Sequence, residues 1–215
     1  MICSLNEIEA LARKAARGGG MSWGLAEEAG KAVRWLSDNG FPGPSLLAEL
    51  LRQNDGKTYS ELAVQQGNDG VLRAQSGLLC PIIAGALICD QADDLKGGAE
   101  LRLGNVAVPL LLAPFASEAA RSAGVSIALE WSGVKLNLGG AAPGGEGAEA
   151  ALRVASTETV TLSRAIRPAD GTVRPCSDRD VSSETMQSLE NYAQRTYAPA
   201  TAESRAGAGA GQESD

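Results

Sequence analysis

The densest local chemistry in this chain lies at its first glycine run. Gly18, Gly19 and Gly20 follow three cations, Arg13, Lys14 and Arg17, and precede Ser22 and Trp23. Glycine N–H groups at the start of a helix, with guanidinium groups beside them, are chemistry suited to an anion. Neither common phosphate fingerprint fits. The ending of GxxxxGK[ST] is missing, and a GxGxxG loop needs a preceding strand where this stretch has a helix. One reading is a small anionic site; the other is a helix-to-helix turn whose glycines permit positive φ or close packing. Near the C-terminus, Ser204 and Arg205 again precede glycine-rich backbone. Folded back, that segment could line the same pocket; otherwise it is a tail. The expected ligand-binding set is Arg13, Arg17, Gly19, Gly20, Trp23, Ser204 and Arg205.

Other reactive groups are dispersed. The chain has no histidine, which removes the imidazole base, Ser-His-Asp and Cys-His arrangements, and His-ligated zinc. Cys3, Cys80, Cys89 and Cys176 show no paired metal spacing. Cys80 precedes Pro81, so a helix start could activate it as a nucleophile; the plainer reading is a buried thiol. Glu27 and Glu28 are adjacent, as are Asp93 and Asp94, so their side chains diverge around a helix and make poor acid/base pairs. A proximity of Asp69 to Asp90 would leave room for a carboxylate hydrolase, with or without Mg²⁺, but no ligand spacing marks a metal site. Trp23 and Trp35 either form an aromatic ligand wall or seal a helix against another layer. Gly24 and Gly30 speak for close helix packing.

The elements that must position these groups follow from periodicity. Ser4 and Glu7 form a capping box, and Leu5, Ile8, Leu11, Ala12 and Ala15 make an apolar stripe for a helix over 5–17, ending at Gly18–Gly20. Ser22 caps a second helix carrying Leu25, Ala29, Ala32, Val33 and Leu36, with Glu27–Lys31 and Arg34–Asp38 as surface pairs; Gly40 ends it. Ser45 caps a third helix bearing Leu46, Leu47, Leu50 and Leu51. Further on the period becomes two. Ile127, Leu129 and Trp131 face Leu138, Leu136 and Val134 across a Ser132–Gly133 loop. A similar hairpin is read around Gly104–Asn105, pairing Leu103 with Val106 and Leu101 with Val108. Pro109 and Pro114 mark an edge, bulge or strand end. Thr157–Arg164 and parts of 58–75 add strand signals, 79–94 reads as a short buried helix, 139–150 as a flexible loop, and Ser183–Tyr197 as a helix.

The predicted class is α+β: an N-terminal helical hairpin region and a C-terminal helix packed against a mostly antiparallel sheet. The expected organisation is one domain over 1–197, with a helical layer at 4–53 and a mainly β region at 57–167. Residues 198–215 form a Gly/Ala-rich tail or a folded-back segment. A net charge of −7 and the lack of a long Lys/Arg stripe argue against nucleic acid and anionic membrane. No apolar run is long enough to span a bilayer, and the N-terminus lacks a signal-peptide pattern, so a cytoplasmic location is expected.

Four stretches together resemble a bacterial family of about two hundred residues, a domain of unknown function. They are SLNEIEALARKAARGGGMSWGLAEEAGKAVRWLSDNG (4–40), LCPIIAGALICD (79–90), VAVPLLLAPFA (106–116) and TYAPATAESRAGAGAG (196–211). The resemblance implies a common architecture with an N-terminal helical region, and that the glycine run and C-terminal segment belong to a folded unit. It supplies no activity, cofactor or catalytic residue. The leading expectation is a cytoplasmic small-molecule-binding or metabolic accessory protein that recognises an anionic metabolite, with a metabolic enzyme or a second copy of the chain as partner. A histidine-independent hydrolase using carboxylates or Cys80 is the alternative, and a structural oligomerisation subunit the third.

Overall fold

The structure, a computed structural model, describes residues 3–58, 61–75, 77–165 and 181–197. Helix α1 (Leu5–Gly18) starts where expected. The Glu7 N–H donates to Ser4 Oγ at 3.3 Å, and the Ser4 N–H to Glu7 Oε2 at 2.8 Å. Its buried stripe of Ile8, Ala12, Ala15 and Ala16 packs on α2 (Trp23–Asp38), which is capped by Ser22. Gly30 makes that packing close, since a methyl group there would lie 3.0 Å from the Glu9 carbonyl oxygen; Gly24 faces open space and packs on nothing. The expected pairs within α2 are replaced. Lys31 bonds Glu28 at 2.7 Å, and Arg34 reaches across to Glu9 and Asn6 on α1. Helix α3 (Gly43–Asn54) begins one turn earlier than expected. Pro42 is its N-cap, and the Ser45 hydroxyl donates to the Pro42 carbonyl instead of capping. Pro44 explains this, because its fixed φ suits a first helical turn.

Seven strands form one open sheet: β1 (Val64–Gln66), β2 (Val71–Ala74), β3 (Leu101–Ala107), β4 (Ile127–Trp131), β5 (Val134–Leu138), β6 (Gly144–Glu146) and β7 (Ser156–Arg164). Their order is β1-β2-β3-β7-β4-β5-β6, and only the β2–β3 pairing is parallel. The β4–β5 register is the expected one: Ile127 opposite Leu138, Leu129 opposite Leu136, Trp131 opposite Val134. The hairpin expected at Gly104–Asn105 does not form. Leu101–Ala107 is one strand, paired antiparallel with β7 from Leu101↔Leu162 to Ala107↔Ser156. Gly104 lies under the Arg73 side chain, and Asn105 takes a φ of 50°, its carbonyl accepting the Leu79 N–H at 2.7 Å. The 139–150 stretch is likewise more ordered than expected: Gly144–Glu146 pairs with β5, and Glu149–Leu152 forms the short helix α7.

Between β2 and β3 the chain crosses through α4 (Pro81–Asp90) and α5 (Ala92–Lys96). Helix α4 is apolar up to its last residue, Asp90, and buries Pro81, Ile82, Ala84, Gly85 and Ile88 against its neighbours. After β3, a 3-10 turn (Pro109–Leu112) leads into α6 (Ala113–Ala123). Gly85 of α4 and Phe115 of α6 interlock, for a methyl group at position 85 would stand 2.3 Å from the ring. Leu103, Val160, Leu162, Leu129 and Leu136 are fully buried on the helix side of the sheet, with Leu110, Leu111 and Leu112. Helix α8 (Ser183–Gln194) packs on α1 and α3, and just beyond it Arg195 pairs with Asp55 at 2.6 Å.

Candidate functional site

The glycine turn is built as a joint between helices. The Gly19 N–H donates to the Ala15 carbonyl at 2.8 Å, Gly20 to Arg17 at 3.1 Å, and Met21 to Ala16 at 3.1 Å. The Gly19 and Gly20 amides are those expected to face an anion, and each already serves an α1 carbonyl that the end of the helix leaves open. Each glycine has its own steric reason. A methyl group at Gly18 would lie 1.8 Å from the Tyr192 carbonyl oxygen of α8, and one at Gly19 would lie 2.7 Å from Leu51 of α3. Gly20 takes a φ of +96°, which a side chain disfavours. Arg17 donates to the Met21 carbonyl at 2.8 Å and lies over the Trp23 ring at 5.2 Å. Arg13 is exposed on α1. Trp23 is 66% exposed, so it neither seals α2 nor walls a pocket with Trp35, which stands about 18 Å farther along the helix at 1.5 Å per residue. Ser204, Arg205 and the rest of 198–215 lie outside the described residues, as does Cys176.

A cleft of about 660 Å³ opens between α2, α4 and α6. One face of α2 supplies Glu28, Lys31, Ala32 and Trp35, at helical spacings of three, one and three. Ala86, Cys89 and Asp90 come from α4, and Pro114, Phe115 and Glu118 from α6. The floor is apolar and has two fixed aromatic pieces. Phe115 is held by Gly85, and Trp35 is stacked on buried Phe41 with centroids 6.4 Å apart. The rim is charged. Glu28 holds the Lys31 ammonium, keeping it charged to higher pH than usual, and Arg121 bonds Glu118, lowering that carboxyl's pKa. Asp90 is exposed at the last residue of α4.

Cys89 lies half-buried in this cleft, its thiol donating to the Phe115 carbonyl at 3.6 Å. Burial, and then the charges of Glu118, Glu28 and Asp90, push its pKa up to about 11. It is therefore a neutral thiol at ordinary pH. Cys80 is the N-cap residue of α4 and is buried; burial raises its pKa more than the nearby Ile83 and Ile82 N–H groups lower it. Asp69 is held well below the usual carboxylate range by Arg73, which it pairs at 2.8 Å in the β1–β2 turn, while Asp90 belongs to the cleft. Among the described residues no group of three or more His, Cys, Asp or Glu side chains is placed to hold a metal, and no helix is long and apolar enough to cross a membrane.

These features define an α+β protein with a helical layer on an open, mostly antiparallel sheet and a small cleft within that layer. Over residues 3–77, which carry α1–α3 and the β1–β2 hairpin, the chain is similar to the family described as Protein of unknown function (DUF3726). The expected likeness to a domain family of unknown function is thus found over that stretch, which includes the α2 wall of the cleft. A comparison with curated proteins finds no match for the chain.

The cleft was missed by sequence reading because its three walls are far apart in the chain. Its signal was nevertheless written as Glu28, Lys31, Ala32 and Trp35, a helical stripe that mixes charge, a small residue and an aromatic. Ala86, Cys89 and Asp90 add a small residue, a thiol and a charge at the end of an otherwise apolar helix.

Proposed function

We propose that this protein binds a small organic molecule in the cleft between α2, α4 and α6. The observation carrying this reading is the cleft itself, whose 660 Å³ fall within the range of ligand pockets, about 300–1,000 Å³. It joins an apolar floor to a few polar groups at one rim, the combination that holds a ligand's body and fixes its orientation. The glycine turn supports an anion site less well, because its amides are already bonded within the turn.

Binding of an uncharged probe tests the cleft alone. 3-Phenylpropanol is expected to raise the melting temperature of the wild-type chain and to have a smaller effect on an Ala86→Leu variant, whose longer side chain projects into the cleft. Equal shifts in both proteins, or no shift in either across a broad set of apolar probes, would refute the assignment.

A further inference from the structure

The cleft's charge specifies its ligand more narrowly than its size does. Three carboxylates line it, Glu28, Asp90 and Glu118, against one ammonium, Lys31. Two of the three are already matched: Glu28 by Lys31, and Glu118 by Arg121 on the outer side of α6. Among the described residues Asp90 has neither an ion pair nor a side-chain hydrogen bond. Its position makes this more pronounced. Asp90 ends α4, where the Leu87, Ile88 and Cys89 carbonyls converge on the Gln91 N–H. The C-terminal end of a helix is the negative end of its dipole, so a carboxylate there deepens the negative potential and a cation is favoured. The raised thiol pKa of Cys89 is consistent with that potential, since Glu118, Glu28 and Asp90 all contribute to it.

The apolar part of the cleft agrees. Trp35 lines the cleft, and Phe41 holds its ring in place by stacking. Phe115, Pro114 and Ala86 provide hydrocarbon surface for the ligand's body. An anionic ligand would meet a single ammonium that Glu28 already occupies. A bare metal ion would find no cluster of ligating groups.

We infer that the cleft takes an organic ammonium with a compact apolar body, its charge at Asp90 and its hydrocarbon against Phe115 and Trp35. The inference rests on the cleft being a binding site, as proposed above. Calorimetric titration with three probes on one skeleton separates the two claims: 3-phenylpropylammonium, 3-phenylpropanol and 3-phenylpropanoate. The ammonium should bind about tenfold more tightly than the alcohol, a typical gain for a charged hydrogen bond, and the carboxylate more weakly than either. In Asp90→Asn the ammonium should lose its advantage over the alcohol, and an unchanged circular dichroism spectrum and melting temperature show that the variant is folded. If all three bind alike, or the carboxylate binds best, the charge assignment is overturned while the cleft stands. If none binds, both fall together.

Discussion

The glycine turn and the α2–α4–α6 cleft look alike in composition and differ in use. Both contain small residues, a basic side chain and a tryptophan. At the turn, the small residues mark places where other chain segments already are: the Tyr192 carbonyl against Gly18 and Leu51 against Gly19. In the cleft, Ala32 and Ala86 border open volume. Arg17 is committed to the Met21 carbonyl and the Trp23 ring, whereas among the described residues Asp90 makes neither an ion pair nor a side-chain hydrogen bond. Small side chains therefore mean contact in one place and vacancy in the other. Residue type alone does not distinguish them; the neighbour each side chain meets does.

The largest expected effect comes from filling the turn. Gly18→Ala sets a methyl group against a backbone carbonyl that cannot turn aside without moving α8. Chemical denaturation should show a loss of about 3 kcal/mol, the upper end for overpacking. Gly20→Ala, where only φ is at issue, should cost about 1–2 kcal/mol. A neutral Gly18→Ala would mean that α8 is not docked there. Filling the cleft should do the opposite. Ala86→Leu is expected to weaken ligand binding while leaving stability within about 0.5 kcal/mol of wild type.

Cys89 gives a probe inside the cleft. With its pKa near 11, only about one thiol in a thousand is ionised at pH 8. Its alkylation, read as the difference between wild type and Cys89→Ser, should be slow at pH 8. It should rise about tenfold per pH unit up to pH 10, then level off near 11, because deprotonation supplies the reactive thiolate. A bound ligand should slow it at every pH. A plateau already at pH 8 would contradict the electrostatic description of the cleft. The smallest effect is expected at the turn's exposed surface. Trp23→Ala should change stability by no more than about 0.5 kcal/mol and leave ligand affinity unaltered.

Local chemistry made much of the fold legible. Ser4 with Glu7, Ser22 and Gly40 mark real helix ends, and the alternation through Ile127–Leu138 fixes the β4–β5 register. The failure at Gly104–Asn105 has a physical cause. The pair has the composition of a tight turn, but β7, more than fifty residues later, offers Leu101–Ala107 an unbroken partner, and Asn105 tolerates its positive φ in place. Long-range pairing overrode a local turn signal. The expected anion site was hard to judge from sequence for a related reason. Gly19 and Gly20 could be recognised as a turn, but only the folded chain shows their amides donating to Ala15 and Arg17. The cleft needed three helices brought together before Ala32, Ala86 and Asp90 acquired a common meaning.

The chain's three tryptophans allow one measurement to decide between the two regions. Trp23 reports the turn, Trp35 the cleft, and Trp131, whose Nε1–H donates to the Ala151 carbonyl at 3.0 Å, an uninvolved part of the sheet. In a titration with 3-phenylpropylammonium followed by the indole N–H resonances, the Trp35 signal should move and saturate while those of Trp23 and Trp131 stay fixed. Movement of Trp23 with Trp35 unchanged would place the ligand at the glycine turn and contradict the account.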